Sequence, residues 1–162
     1  METMSRSPRS RTAIRVLLVV AACAGVLAGC ASLQRSVDQG DVREVTDLIN
    51  SGQAAKLSAM SATPFLLDGE IVALRSDVAT LWDNVVKAGF RLSDAGLARS
   101  VAVASDSYRE FAGTLEVKAF FDSQVKPGTR ILELRTAEGT RVLLLLRDAW
   151  FKRTLIGFKG PY

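Results

Sequence analysis

An uncharged apolar run from Val16 to Leu27 is the feature that most constrains how this chain can fold. Four arginines lie before it, at Arg6, Arg9, Arg11 and Arg15. The run is shorter than the roughly 20 residues that a membrane-spanning helix needs, and its length suits the apolar region of an export signal. We therefore predict a cleaved signal peptide over residues 1–29. The remaining 133 residues are enough for one ordinary domain.

The apolar run ends in Leu27-Ala28-Gly29-Cys30, which resembles the lipobox of bacterial lipoproteins. The resemblance implies that a signal peptidase recognises Leu27, Ala28 and Gly29 and cleaves before Cys30. It also implies diacylglycerol on the Cys30 thiol and a further acyl chain, such as palmitate, on the new amino group. Two or more chains hold a protein stably on a membrane. Non-acidic Ala31 and Ser32 imply sorting to the outer membrane, facing the periplasm, if the host is Gram-negative.

The charge of the mature protein differs from that of the whole chain. The net charge of +4 includes the four arginines of the signal segment and Glu2. Without them, 17 basic and 16 acidic residues remain, so nucleic-acid binding by a basic domain loses its main support. Cys23 leaves with the signal peptide and Cys30 is committed to lipid. We therefore expect no intrachain disulfide in the exported domain.

The mature chain reads as a short tether over residues 30–40 followed by a single domain over 41–162. Helical spacing of apolar residues runs from Val42 to Ile49 and stops at Gly52. Asp68-Gly69 lies between apolar runs, which predicts a hairpin. A second helix is predicted from Val78 to Val86, with Ser76 as its cap.

The second half of the chain is predicted to contain a short strand, a helix and three further strands. Leu97 to Val103 is the short strand, and Ser107 with Glu110 forms a capping box for a helix that reaches Phe121. Gly113 leaves a strand over residues 115–121 open. Val142 to Leu146 is apolar throughout, as in a central strand covered on both faces. Strands are also predicted over 130–136 and 150–158.

These elements predict an α+β fold with helices packed on an antiparallel sheet, in the order α-β-β-α-β-α-β-β-β. The order is similar to that of the cone-shaped folds in the NTF2-like superfamily. Two stretches, residues 63–71 and 157–162, also resemble signature segments of a bacterial lipoprotein family. Neither stretch implies an activity.

The residue types present exclude several kinds of catalysis. The chain has no histidine, and no thiol is left free once Cys30 carries lipid. A Ser-His-Asp triad and histidine- or cysteine-based zinc sites are therefore excluded, and no phosphate-binding or dinucleotide-binding glycine motif occurs. We expect no cofactor and no metal, and no catalytic residue is assigned.

Four residues are candidates for a ligand pocket. Asp68 and Glu70, two apart around a turn, can serve as a general acid or base or hold a hard cation. The alternative is that Asp68 builds the turn while Glu70 faces water. Phe65 and Trp82, together with Phe90 and the Phe120-Phe121 pair, can wall a pocket, although aromatic residues at such spacing also form ordinary cores.

Two surface features are candidates for contacts with partners. A basic cluster on the last strands can meet anionic lipid or glycan, or can simply be a solvated sheet face; it comprises Arg141, Arg147, Lys152 and Arg153. Trp150-Phe151, beside it, can mark a surface for a protein partner.

The sequence leaves three kinds of function open. The first is a non-catalytic envelope lipoprotein that binds an envelope protein or a small ligand. The second is a carboxylate-dependent enzyme that uses Asp68 or Glu70 in an NTF2-like pocket. The third is a purely structural envelope component, which predicts a large exposed apolar patch.

Overall fold

The computed structural model describes residues 33–149 and 152–162. The predicted signal peptide, the lipobox residues Leu27 to Cys30 and the pair Trp150-Phe151 lie outside these ranges. Within them, no helix has the length and apolar character that a membrane span requires. Residues Asp38–Tyr162 form one compact unit.

The elements follow one another as helices, a hairpin, and then strands that alternate with helices. The helices are α1 (33–50), α2 (Ala54–Met60), α3 (Arg75–Lys87) and α4 (Leu115–Gln124), with a 3₁₀ helix over Ser107–Glu110. The strands are β1 (Ser61–Leu67), β2 (Glu70–Val72), β3 (Gly96–Ala102), β4 (Thr129–Arg135), β5 (Arg141–Ala149) and β6 (Lys152–Lys159). The predicted α+β class is confirmed.

The six strands form one sheet in the order β2-β1-β6-β5-β4-β3. The prediction of an antiparallel sheet is wrong at one pair, because β1 runs parallel to β6. Ser61 lies opposite Leu155 and Leu66 lies opposite Gly157, so β1 needs more residues than β6 to cover the same distance. A Cβ at Gly157 would lie 3.0 Å from the carbonyl oxygen of Leu66, so a glycine here lets the two strands approach.

Helices cover both faces of the sheet. The three-helix face is the one under α1, α2 and α3; its core includes Val45, Ile49, Leu57, Phe65, Trp82, Leu132, Leu144 and Phe158. The single-helix face is the one under α4; its core includes Leu66, Phe111, Val117, Phe120, Ile131, Leu143 and Ile156. Strand β5 is buried from Val142 to Leu146 because it lies between β4 and β6 and is covered on both sides, as predicted.

Three local predictions need correction. The tether predicted through residue 40 is helical from residue 33, and Asp38 is already buried, so the domain begins earlier. Helix α2 was not predicted because Leu57 is its only buried residue, which leaves no helical period to detect. Ser76 lies inside α3, whose N-cap is Leu74.

Gly113 lies in a short non-helical stretch between two helical segments. The 3₁₀ helix ends at Glu110, and α4 begins after Thr114, whose Oγ1 accepts a hydrogen bond from Val117 N at 3.3 Å. Ser107 therefore does not cap the longer helix; its Oγ accepts from Ala104 N at 2.9 Å. The strand left open over residues 115–121 does not form.

Candidate functional site

A groove of about 280 Å³ opens beside Trp82 on the three-helix face, where β1 and β6 end. Apolar side chains of α3, the following loop and the end of β6 make most of its wall; they are Leu81, Trp82, Val85, Phe90, Phe158 and Pro161. We call this the apolar groove. Small-ligand sites are typically concave and mostly apolar, and this groove lies at the lower end of their size range of about 300–1,000 Å³.

Trp82 is a fixed part of the groove. Its side chain is 1% exposed, and its Nε1 donates a hydrogen bond to Ser61 Oγ at 2.9 Å. Its ring meets the edges of Phe65 and Phe158 at centroid distances of 6.0 and 5.9 Å. Phe90 adds a further edge contact to Phe158 at 6.2 Å. Such pairs stabilise the fold beyond their buried area, so these contacts hold the aromatic wall together without a ligand.

The structure brings two of the four predicted pocket residues to this groove. Trp82 and Asp68 line it. Phe65 is fully buried beneath Trp82, so it supports the wall without lining the groove. Glu70 is exposed at the start of β2 and does not line the groove.

Asp68 has a structural role in the turn. It has φ of 52° and is followed by Gly69 with φ of 117°, and two such residues make the tight hairpin between β1 and β2. The Asp68 carboxylate accepts a hydrogen bond from Gly160 N at 2.7 Å, and its backbone N–H donates to Phe158 O at 2.9 Å. The hairpin is thereby tied to the end of β6, which closes one end of the groove.

The predicted aromatic walls separate into two sets. Phe90 lines the apolar groove, whereas Phe120 and Phe121 lie in the core of the single-helix face with Phe111. Residues on α4 could not have joined the same groove, because the sheet stands between them.

The predicted basic cluster also separates. Arg141 binds Glu133, with Nε 3.0 Å from Oε1. Arg153 lies on the three-helix face and pairs with Asp41 and Glu44 of α1. Only Arg147 and Lys152 share a groove, which is a different one. The four residues do not form one cluster because, for example, Arg141 and Arg147 lie toward opposite ends of β5.

A buried glutamate organises the arginines of the single-helix face. The Glu133 side chain is 5% exposed, and Arg99, Arg135 and Arg141 from β3, β4 and β5 converge on it at 2.9 to 3.1 Å. Burial by itself would raise the pKa of Glu133, but the hydrogen bonds from the three guanidiniums outweigh it and lower this pKa to about 2. Glu133 is therefore ionised at any physiological pH.

A buried aspartate on the three-helix face, Asp41, has a pKa shifted in the opposite direction. Burial raises the pKa of Asp41 to about 6, against the opposing effect of Arg153. Arg153 Nε lies 2.5 Å from Asp41 Oδ1 but outside hydrogen-bonding geometry, so this buried oxygen accepts no hydrogen bond within the described part of the chain. One turn earlier, Asp38 accepts from Ser100 Oγ at 2.5 Å and lies 3.2 Å from Arg130 Nε.

Metal-binding geometry does not occur in the ranges that the structure describes, where no three acidic, histidine or cysteine side chains come together. No protein-family model and no characterised protein sequence matches this chain.

Proposed function

We propose that this chain is an exported lipoprotein, anchored through Cys30, whose domain binds a small ligand with an apolar part in the apolar groove. The observation that carries the proposal is the packed wall of Trp82, Phe90 and Phe158 beside an open space of about 280 Å³. A preformed apolar surface of this kind gains free energy when a ligand displaces water from it, at little ordering cost to the protein.

The positions of the carboxylates Asp68 and Glu70 favour ligand binding over catalysis. Among the described residues, Asp68 is the only ionisable side chain that lines the apolar groove, and its carboxylate already accepts a hydrogen bond from Gly160 N. Glu70 does not line the groove. A pair of carboxylates that divides the roles of acid and base is therefore not assembled there.

The anchor is tested by acyl labelling in cells. The host is grown with an alkyne analogue of palmitate, and the chain is compared with its Cys30→Ser variant. We expect label on the wild-type chain in the membrane fraction, no label on the variant, and retention of the variant's signal peptide. Equal labelling of both chains would remove the lipoprotein assignment.

The groove is tested with a neutral fluorescent probe, N-phenyl-1-naphthylamine, and the chain from Ser32 onward, after circular dichroism has confirmed its fold. Ala88→Phe places a ring in the groove from the exposed end of α3. Asn84→Phe adds the same ring to the same helix at an exposed position outside the groove. We expect Ala88→Phe to weaken probe binding about tenfold or more and Asn84→Phe to leave it unchanged.

A further inference from the structure

A second groove, of about 330 Å³, lies at the opposite end of the β1–β6 pair. It forms where the β1 register slips against β6, between the start of β1, the end of α4 and the β5–β6 strands. Three cations line it, Arg75, Arg147 and Lys152, and the polar side chains beside them include Thr63, Gln124 and Thr154. No carboxylate occurs among its lining residues in the described part of the chain. We call it the basic groove.

Arg75 is held in place by the protein itself. Its Nη1 donates to the carbonyl oxygens of Ser58 and Ser61, each at 2.9 Å. A guanidinium has five N–H donors, and Nε and Nη2, which make no hydrogen bond within the described ranges, can donate to another acceptor. The side chain that enters the groove from α3 is therefore already ordered and still has donors to offer.

Within the described residues, Arg147 and Lys152 have no acidic partner, whereas the five other arginines on the strands each have one. Arg99, Arg135 and Arg141 bind Glu133, while Arg130 and Arg153 bind Asp38 and Asp41; these pairs account for five arginines. Within the described ranges, no ion pair or hydrogen bond involves the side chain of Arg147, although it is half-buried. A guanidinium that is partly withdrawn from water without a counter-charge leaves desolvation uncompensated.

We propose that the basic groove binds a phosphate group, with Arg75 and Arg147 as hydrogen-bonding guanidiniums and Lys152 as a third positive charge. Planar guanidinium forks match the oxygens of a phosphate, and the hydroxyls of Thr63 and Thr154 are additional donors at the same wall. The groove is large enough for a phosphate with a small organic substituent. The site is distinct from the apolar groove, so it stands whether or not that groove binds a ligand.

The test uses the full chain in the neutral detergent dodecyl maltoside at low ionic strength. Inorganic phosphate and glycerol 3-phosphate are titrated by calorimetry, and short-chain phosphatidylglycerol is compared with phosphatidylcholine in the same detergent. Binding by the soluble phosphates assigns the site to a soluble ligand, and a preference for phosphatidylglycerol alone assigns it to a lipid headgroup. Either result requires the variants below to support the proposal.

Arg147→Gln with Lys152→Gln removes two charges of the groove, and Arg43→Gln with Lys87→Gln removes two exposed charges elsewhere. We expect the first pair to weaken binding about tenfold or more and the second to change it less than about twofold. Raising the NaCl concentration should weaken binding to the wild-type chain. The proposal is overturned if none of the phosphate compounds binds, or if both double variants bind equally while their melting temperatures match the wild type.

Discussion

The two faces of the sheet each bury a carboxylate, but under opposite electrostatic conditions. On the single-helix face, Glu133 shares three arginines and its pKa is lowered to about 2. On the three-helix face, burial raises the pKa of Asp41 to about 6, with Arg153 as its one opposing cation and acids of α1 and β5 nearby. Burial penalises both charges. Hydrogen bonds from three guanidiniums outweigh this penalty at Glu133, whereas one guanidinium does not outweigh burial and the nearby acids at Asp41.

The same contrast separates the two grooves. The basic groove, at one end of the β1–β6 pair, has three cations and no acid among its described lining residues. On the three-helix face, carboxylates of α1 form ion pairs with the nearby arginines. The apolar groove at the other end of these strands is lined by aromatic rings. One pair of parallel strands therefore has a basic groove at one end and an apolar groove at the other.

The largest effect is expected from Trp82→Ala. Removing this buried ring takes contacts from Phe65 and Phe158 and should reduce the free energy of unfolding by about 3–5 kcal/mol. Phe120→Ala on the single-helix face should cost a similar amount. Urea unfolding measures both losses, and probe binding separates them, because only the Trp82 variant should lose the apolar groove. Equal loss of probe binding in both variants would break the distinction between the faces.

Glu133→Gln should have the next largest effect and should lower the free energy of unfolding by about 1–3 kcal/mol at neutral pH. The three arginines lose a shared charged acceptor, but they are 40 to 58% exposed, so water offsets part of the loss. Because the folded pKa is below the usual value, the stabilisation from Glu133 is present above about pH 4.5 and lost as pH falls toward 2. The gap between wild type and variant in urea unfolding should therefore narrow in acid, and a constant gap would contradict the account.

Asp41→Asn should have a smaller effect of opposite pH dependence. The folded pKa of Asp41 is raised, so its contribution is most favourable below about pH 4 and is lost as pH rises through 6. Between pH 4 and 7, the free energy of unfolding of the asparagine variant should therefore rise relative to that of the wild type. At pH 7 it should lie within about 1 kcal/mol of the wild-type value or above it. A variant that loses more stability at pH 7 than at pH 4 would show that the pair with Arg153 dominates.

Asp68→Asn should have the smallest effect. The amide oxygen of asparagine can accept the hydrogen bond from Gly160 N, and asparagine tolerates a positive φ. Melting temperature and probe affinity should stay within error of the wild type. A large loss of ligand turnover in this variant would instead favour the carboxylate-dependent enzyme.

The parts of the fold that sequence reasoning predicted are those with local signals. Asp68-Gly69 specifies its own turn, and the unbroken run Val142 to Leu146 indicates a strand covered on both faces. The parallel β1–β6 pair could not be predicted in this way, because it joins segments at opposite ends of the domain. Both sites depend on such distant contacts.

Sequence reasoning grouped only some of the residues that line the two grooves. Of the residues proposed from the sequence for one pocket, Trp82 and Asp68 line the apolar groove and Glu70 does not. Arg75 joins Arg147 and Lys152 only through the fold, and no sequence spacing indicates that meeting. The burial of Glu133 was likewise hidden, because alternating charged and apolar residues on β4 suggest an exposed charge.

The most direct test of the proposed function is a ¹H–¹⁵N NMR titration of the chain from Ser32 onward with N-phenyl-1-naphthylamine. The account predicts saturable shifts at the Trp82 indole N–H and at the amides of Val85, Phe90 and Phe158, with little change at Arg147 and Thr154. Shifts confined to the basic groove, or spread without saturation over the whole surface, would contradict it.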